Sequence, residues 1–171
     1  AIAMGFILMA ARVFDSFNDP IMGIIVAKTK TKWGKFRPWI FAGTVLNSLT
    51  IYALYSTPDS LSGPQQKNWL VVFYVAWGVT YTLMDIPFWS MIPAITKPGS
   101  DREMLSSIAR TCSGVGAALP TVLTMVMVPL LSASDVIADY KIGFKWWAII
   151  ISLIFLISEI VCVMVVPEKV V

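Results

Sequence analysis

Asp15 and Asp19 stand four residues apart in an otherwise apolar run, with Arg12 and Asn18 beside them. On a helix that spacing puts both acids on one face, with Arg12 one turn above Asp15. One guanidinium against two carboxylates leaves positive charge in deficit, and a small cation would cancel it. Asp15, Asn18 and Asp19 offer hard oxygen ligands that suit an alkali ion, and the carboxylates could equally take protons. Pro20 adds a weak point, because it donates no backbone bond and its ring displaces the Ser16 carbonyl four residues back. The competing reading is a structural pair of Arg12 with an aspartate that fastens helices together. Two acids short of partners favour the ion site.

A second constellation follows in residues 69–96. Gly78, Thr82, Asp85 and Trp89 recur at i, i+4, i+7 and i+11, one stripe of a helix. A carboxylate and an indole on one stripe suit a sugar. The acid accepts hydrogen bonds from vicinal hydroxyls, and the flat ring stacks on the apolar C–H face of a pyranose. Trp33, Trp39, Trp69, Trp146 and Trp147 read as interfacial anchors instead, while Trp77 fits neither role. Arg110 could pair with Asp85, reach a substrate hydroxyl as a planar donor fork, or snorkel to the surface. Just beyond it, Gly114, Gly116, Ala117 and Ala118 would let another helix approach closely. Glu159, seven residues from the expected end of its helix, reads as a snorkelling side chain.

Other chemistry is excluded by composition. Histidine is absent, so no Ser-His-Asp triad, His-bearing metal site or imidazole shuttle can be built. Cys112 and Cys162 lie inside apolar runs without metal-ligand spacing and read as buried thiols. No nucleophile-and-base pair is visible, so an enzyme is not expected. A net charge of +3 spread over such sequence makes no basic arm for nucleic acid.

The elements that must position these residues are membrane helices. Of 171 residues, 57% are hydrophobic and 13% charged, with a mean hydropathy of +0.77, far from the quarter charged that is usual in soluble domains. A spanning helix needs roughly 20 mostly apolar residues. That rule predicts an all-α integral membrane protein with five transmembrane helices, about 1–27, 38–58, 69–96, 104–131 and 143–166, in a single membrane domain over 1–171. On such helices Asp15, Asp19 and Asp85 lie about 14–20 Å from the nearer basic end, near mid-membrane.

Lysine and arginine set the orientation. Lys28, Lys30, Lys32, Lys35 and Arg37 crowd the first link with no acid among them, which marks it cytoplasmic. Alternation then places Lys97, Arg102 and Lys169 inside and Lys67, Lys141 and Lys145 outside. The chain begins with Ala1 and runs directly into hydrophobic sequence, which leads to the expectation of a fragment with at least one helix upstream and more downstream.

Four stretches closely resemble the glycoside–pentoside–hexuronide:cation symporters, the melibiose-permease-like branch of the major facilitator superfamily. Arg12–Gly23, RVFDSFNDPIMG, is similar to that family's second helix. Lys28–Trp39, KTKTKWGKFRPW, is similar to its loop between helices two and three. Trp77–Thr96, WGVTYTLMDIPFWSMIPAIT, is similar to helix four, and Asp101–Arg110, DREMLSSIAR, to the start of helix five. A departure is Lys28, where many major facilitator proteins carry an acid.

The resemblance implies that these are helices two to six of a twelve-helix transporter. It implies that Asp15, Asn18, Asp19 and Thr82 form the coupling-cation site and that Asp85, Trp89 and Arg110 contact the sugar. Lys32, Gly34, Lys35 and Arg37, in the basic loop, would belong to the cytoplasmic gate. The expected ligands are a sugar or glycoside and Na+, Li+ or H+, with no further cofactor and no nucleic acid. The expected location is a bacterial inner membrane, multi-pass, beside a first helix and a C-terminal half that lie outside this sequence. The competing functions are a related carrier of lipid or drug-like cargo and a non-transporting membrane scaffold.

Overall fold

The structure is a computed structural model that describes residues 2–132 and 140–168, the side chains of 2–4, 6–8, 10, 11 and 15 excepted. Among the described residues there are five helices and no strand: α1 (Ile2–Lys28), α2 (Arg37–Tyr55), α3 (Gly63–Ile95), α4 (Ser100–Ser132) and α5 (Tyr140–Val165). α3, α4 and α5 are each long and apolar enough to cross a membrane on length and composition alone. α2, at 19 residues, is long enough to span about 28 Å. It carries Thr44, Asn47, Ser48 and Thr50 in the middle, and Thr44 and Asn47 are buried against the bundle. α1 carries the charges of Arg12, Asp15 and Asp19.

Two helices start earlier than their apolar runs. Hydropathy predicts α3 from about residue 69, but it begins at Gly63, because Ser62 and Gln65 close its first turn: the Ser62 N–H donates to Gln65 Oε1 at 3.0 Å. The same rule predicts α4 from 104, and it begins at Ser100. Asp101 and Glu103 fill its first turn, where the partial positive charge of the free N–H groups favours acids. Hydropathy counts the membrane-crossing part of a helix, and these polar turns project beyond it. At the other end α2 stops at Tyr55, three residues short of Pro58.

α2 has no side-chain cap of its own at Phe36. Glu168, after the end of α5, supplies one from a distance. Its carboxylate accepts from the backbone N–H of Lys35 at 2.6 Å, of Phe36 at 3.1 Å and of Arg37 at 3.4 Å. The Arg37 guanidinium donates to the Val166 carbonyl. Gly34 makes room, since its φ of +113° lies in the left-handed region and a Cβ there would collide with the Glu168 carboxylate. The basic loop and the C-terminal end of α5 thus share one side of the bundle, as the alternation of links requires; Lys169, expected on that side, lies outside the described residues. Lys141 pairs with Asp59 on the opposite side, and this holds the Asp59 carboxyl below its ordinary range.

Packing runs α1–α3–α2–α5–α4, with only a slight contact between α3 and α4. The core is Met22, Val26, Phe36, Ile40, Met84, Met91 and Val163. Two glycines set the closest approaches. A Cβ on Gly43 would stand 2.8 Å from the Met84 backbone nitrogen, and one on Gly143 would collide with the Val128 carbonyl oxygen and Ser132 Oγ. The predicted close-approach stripe is not where the described helices meet: a Cβ on Gly114 or Gly116 would find no atom of another helix within 4 Å. α4 buries Val128 alone, so its middle is an apolar surface turned away from the rest of the described bundle. Gly143→Val is expected to cost about 1–3 kcal/mol, the usual range for overpacking a tight contact. Thermal unfolding of the detergent-solubilised full-length protein checks it, and an unchanged midpoint would contradict the α4–α5 contact.

Candidate functional site

A cavity of about 540 Å³ opens between α1 and α3, lined by Arg12, Phe14, Asp19, Tyr74, Trp77, Tyr81, Thr82 and Asp85 together with Val75, Gly78 and Ile86. Three of the sequence-predicted residues therefore face one space. Asp19 and Thr82 meet directly across the α1–α3 contact, the Thr82 hydroxyl lying 3.1 Å from Asp19 Oδ1 and 3.1 Å from the Gly78 carbonyl. Thr82 is buried while Asp19 remains exposed to the cavity. A hydroxyl oxygen and a carboxylate oxygen at this distance can be drawn onto a single small cation.

Asp85 sits one turn further along α3 from the Thr82 position. Its Oδ1 accepts from Trp89 Nε1 at 3.1 Å, and the Tyr81 phenol lies beside the same carboxylate. The Arg110 guanidinium of α4 stands 5.1 Å from the centre of the Trp89 ring, a geometry in which a cation is attracted to the face of an indole. Phe88 meets the same indole edge-on, with ring centres 5.5 Å apart. Carboxylate, indole and guanidinium thus form one chain across α3 and α4. Arg110 lies ten residues into α4, about 15 Å from its start.

Asp15 lies in α1, and its side chain is outside the described residues. Asn18 is half-buried on the same helix and lines neither cavity described here. Trp89 and Arg110 reach the site through Asp85 rather than through the cavity wall. In the basic loop the Thr31 hydroxyl donates to the Gly34 carbonyl and accepts from the Trp33 N–H at 3.3 Å. Lys35 Nζ sits 5.3 Å over the Phe36 ring, and Lys32 is exposed.

Some expectations need correction. Glu159 does not simply snorkel: its Oε2 is shielded from solvent and has no hydrogen-bond partner among the described residues, because the α5 face that carries it turns inward. Trp39, Trp69 and Trp147, expected as interfacial anchors, donate their indole N–H inside the protein, to Thr29 Oγ1 at 2.9 Å, the Ala53 carbonyl at 3.0 Å and Thr124 Oγ1 at 2.7 Å. Trp33 and Trp146 stay exposed. Cys112 is exposed on α4 rather than buried.

Sequence reasoning missed Tyr74 and Tyr81, and it left Trp77 without a role. All three line the main cavity. Their signal was present: they precede Asp85 by eleven, four and eight residues, spacings that share its stripe. Tyr74 and Trp77 also border a second, smaller cavity of about 310 Å³, closed by Tyr55, Phe144, Thr124 and Trp147.

Comparison with known proteins identifies the family. The family model described as MFS/sugar transport protein matches residues 1–171. The chain is 34% identical to the raffinose carrier protein of Pediococcus pentosaceus, with 89% of this chain and 24% of that protein covered. It is 30% identical to the lactose permease of Lactobacillus delbrueckii subsp. bulgaricus, with 90% and 25% covered. It is 29% identical to the inner membrane symporter YicJ of Escherichia coli K12, with 98% and 35% covered. The chain thus spans about a quarter to a third of the length of these relatives. With the matching model, these transporters and membrane-spanning helices in hand, the chain belongs to the MFS/sugar transport protein family, in its glycoside–pentoside–hexuronide:cation symporter branch of the major facilitator superfamily.

Proposed function

We propose that this chain is part of the N-terminal bundle of a cation-coupled glycoside symporter that works by alternating access. Asp15, Asn18, Asp19 and Thr82 hold the coupling cation, which is Na+, Li+ or H+. Asp85, Trp89 and Arg110 hold the sugar, and the loop with Lys32, Gly34, Lys35 and Arg37 takes part in the cytoplasmic gate. The observation that carries this reading is the shared cavity: Asp19, Thr82 and Asp85 line one space between α1 and α3. An ion placed between Asp19 and Thr82 then lies within the same low-dielectric chamber as a sugar on Asp85.

The coupling follows from electrostatics. Closing a membrane-buried chamber around ionised acids is costly. A bound cation neutralises Asp15 and Asp19 and so removes much of that cost. Sugar bridges Asp85 and Arg110 and draws α3 and α4 together, where the described helices barely touch. Ion and sugar therefore support each other, by the same factor in both directions. Rocking of two bundles about such a site gives transport, so the activity belongs to the full-length protein.

Among the described residues no ion pair involves Asp19, Asp85 or Glu159, and the pair that is present joins Lys141 to Asp59 outside the bundle. Uptake of labelled galactosides and glucosides by cells that make the full-length protein, with and without a sodium, lithium or proton gradient, tests the proposal. Uptake of at least one glycoside is expected to rise with one of the gradients. Gradient-independent uptake, or no glycoside uptake alongside export of an amphiphile, would sink it.

A further inference from the structure

Three aromatic rings climb one face of α3 away from Asp85. Tyr74 and Trp77 have ring centres 5.7 Å apart, and Trp77 and Tyr81 5.9 Å apart, each pair tilted by about 40°. All three line the main cavity on the side of the Ser62 end of α3, which the lysine and arginine distribution places outside. The lowest ring, Tyr81, lies beside the Asp85 carboxylate, and Trp89 continues the stripe below it. From Tyr74 to Asp85 is eleven residues, about 16 Å of helix, more than one pyranose ring can span.

We propose that Tyr74, Trp77 and Tyr81 form a second sugar subsite, an outward extension of the Asp85 site that stacks the distal ring of a glycoside built from two or more rings. Three observations carry it. The rings are partly exposed rather than locked in a core: Tyr81 is 43% accessible, and Tyr74 and Trp77 are half-buried. They line a cavity of about 540 Å³, roomier than a monosaccharide requires. Trp77 borders cavities on two sides, so its ring is no mere filler between helices.

The chemistry divides the work. Hydroxyl recognition at Asp85, Trp89 and Arg110 depends on the direction of each O–H and selects the first ring. Stacking on a ladder of rings asks only for an apolar C–H face, so it tolerates different second rings and different linkages. The ladder then sets the preferred length of the cargo rather than the identity of its first sugar.

This proposal rests on the assignment of Asp85 to the first ring, and the test separates the two. Calorimetric titration of the purified full-length protein compares methyl β-galactoside with lactose, and methyl α-galactoside with raffinose, in wild type, Trp77→Ala, Trp77→Phe and Asp85→Asn. Wild type is expected to bind the oligosaccharide of at least one pair more tightly than its methyl glycoside. Trp77→Ala is expected to lose about tenfold for that oligosaccharide, the scale of one aromatic contact, and to keep its methyl glycoside affinity within about twofold. Trp77→Phe, which keeps a ring, is expected to recover most of the loss. Equal wild-type affinity within both pairs, an equal loss for both partners in Trp77→Ala, or no loss at all would overturn the subsite. Retention of methyl glycoside affinity by Asp85→Asn would instead overturn the first-ring assignment on which it rests.

Discussion

Asp85→Asn in the full-length protein is expected to abolish sugar binding while leaving cation binding largely intact. The substitution keeps the volume and an oxygen that can accept from Trp89 Nε1, the bond that fixes the wild-type side chain at 3.1 Å. What it removes is the negative charge. Hydrogen bonds from sugar hydroxyls to a carboxylate are stronger than those to a neutral amide by about 1–1.5 kcal/mol each, roughly tenfold in affinity per bond. Two vicinal hydroxyls on the same carboxylate bring the loss to about 100-fold. Calorimetry with the transported glycoside, and separately with the coupling ion, reads both halves of this expectation. Sugar affinity that survives the change would show that Asp85 holds something other than sugar.

The second large effect belongs to Asp19. Asp19→Asn is expected to make sugar affinity independent of the cation. The residue lies against Thr82 across the α1–α3 contact at 3.1 Å, and the amide keeps that hydrogen bond, so helix packing is little disturbed. It removes one of the negative charges that draw an ion into the chamber. In wild type, coupling of the usual strength raises sugar affinity about 5- to 150-fold when the ion is present. In the variant the ratio of affinities with and without ion should fall to about one. Titrations in sodium, lithium and choline salts at fixed pH, repeated across pH for proton coupling, give that ratio directly. A variant that unfolds more readily yet keeps the full ion response would favour a fastening role for Asp19.

These expectations differ in how much each owes to sequence and how much to the arrangement in space. The helices were legible because burial in lipid demands long apolar runs: a helix stands at each of the five predicted runs, and three of them are long and apolar enough to cross a membrane. Their ends were less so. Residues 63–68 and 100–103 are polar turns that hydropathy reads as links, while their capping residues make them helix. The pairing of Asp85 with Trp89 was legible too, since four residues along a helix necessarily bring two side chains together.

Contacts between helices were not legible. Gly114 and Gly116 have the composition of a close interface, yet the tight contacts fall at Gly43 and Gly143, because composition states what could pack closely and not which face meets a partner. Glu168 gave no local sign of its role. Its partners lie 131–133 residues earlier, and nothing in the spacing of a lone acid after a helix points to backbone N–H groups so far away. Trp77 shares the stripe of Asp85 by its spacing, but only the cavity beside α3 shows what that stripe faces.

Read residue by residue, the chain already declares a membrane protein with acids near mid-membrane and its basic links on one side, because hydrophobic length and helical periodicity are properties of a single segment. It took the packed bundle to put Asp19, Thr82 and Asp85 in one chamber, to bring Arg110 against Trp89, and to raise a ladder of rings outward from the acid. Those facts depend on the rotation and register of one helix against another, which many distant side chains settle together and no single segment encodes.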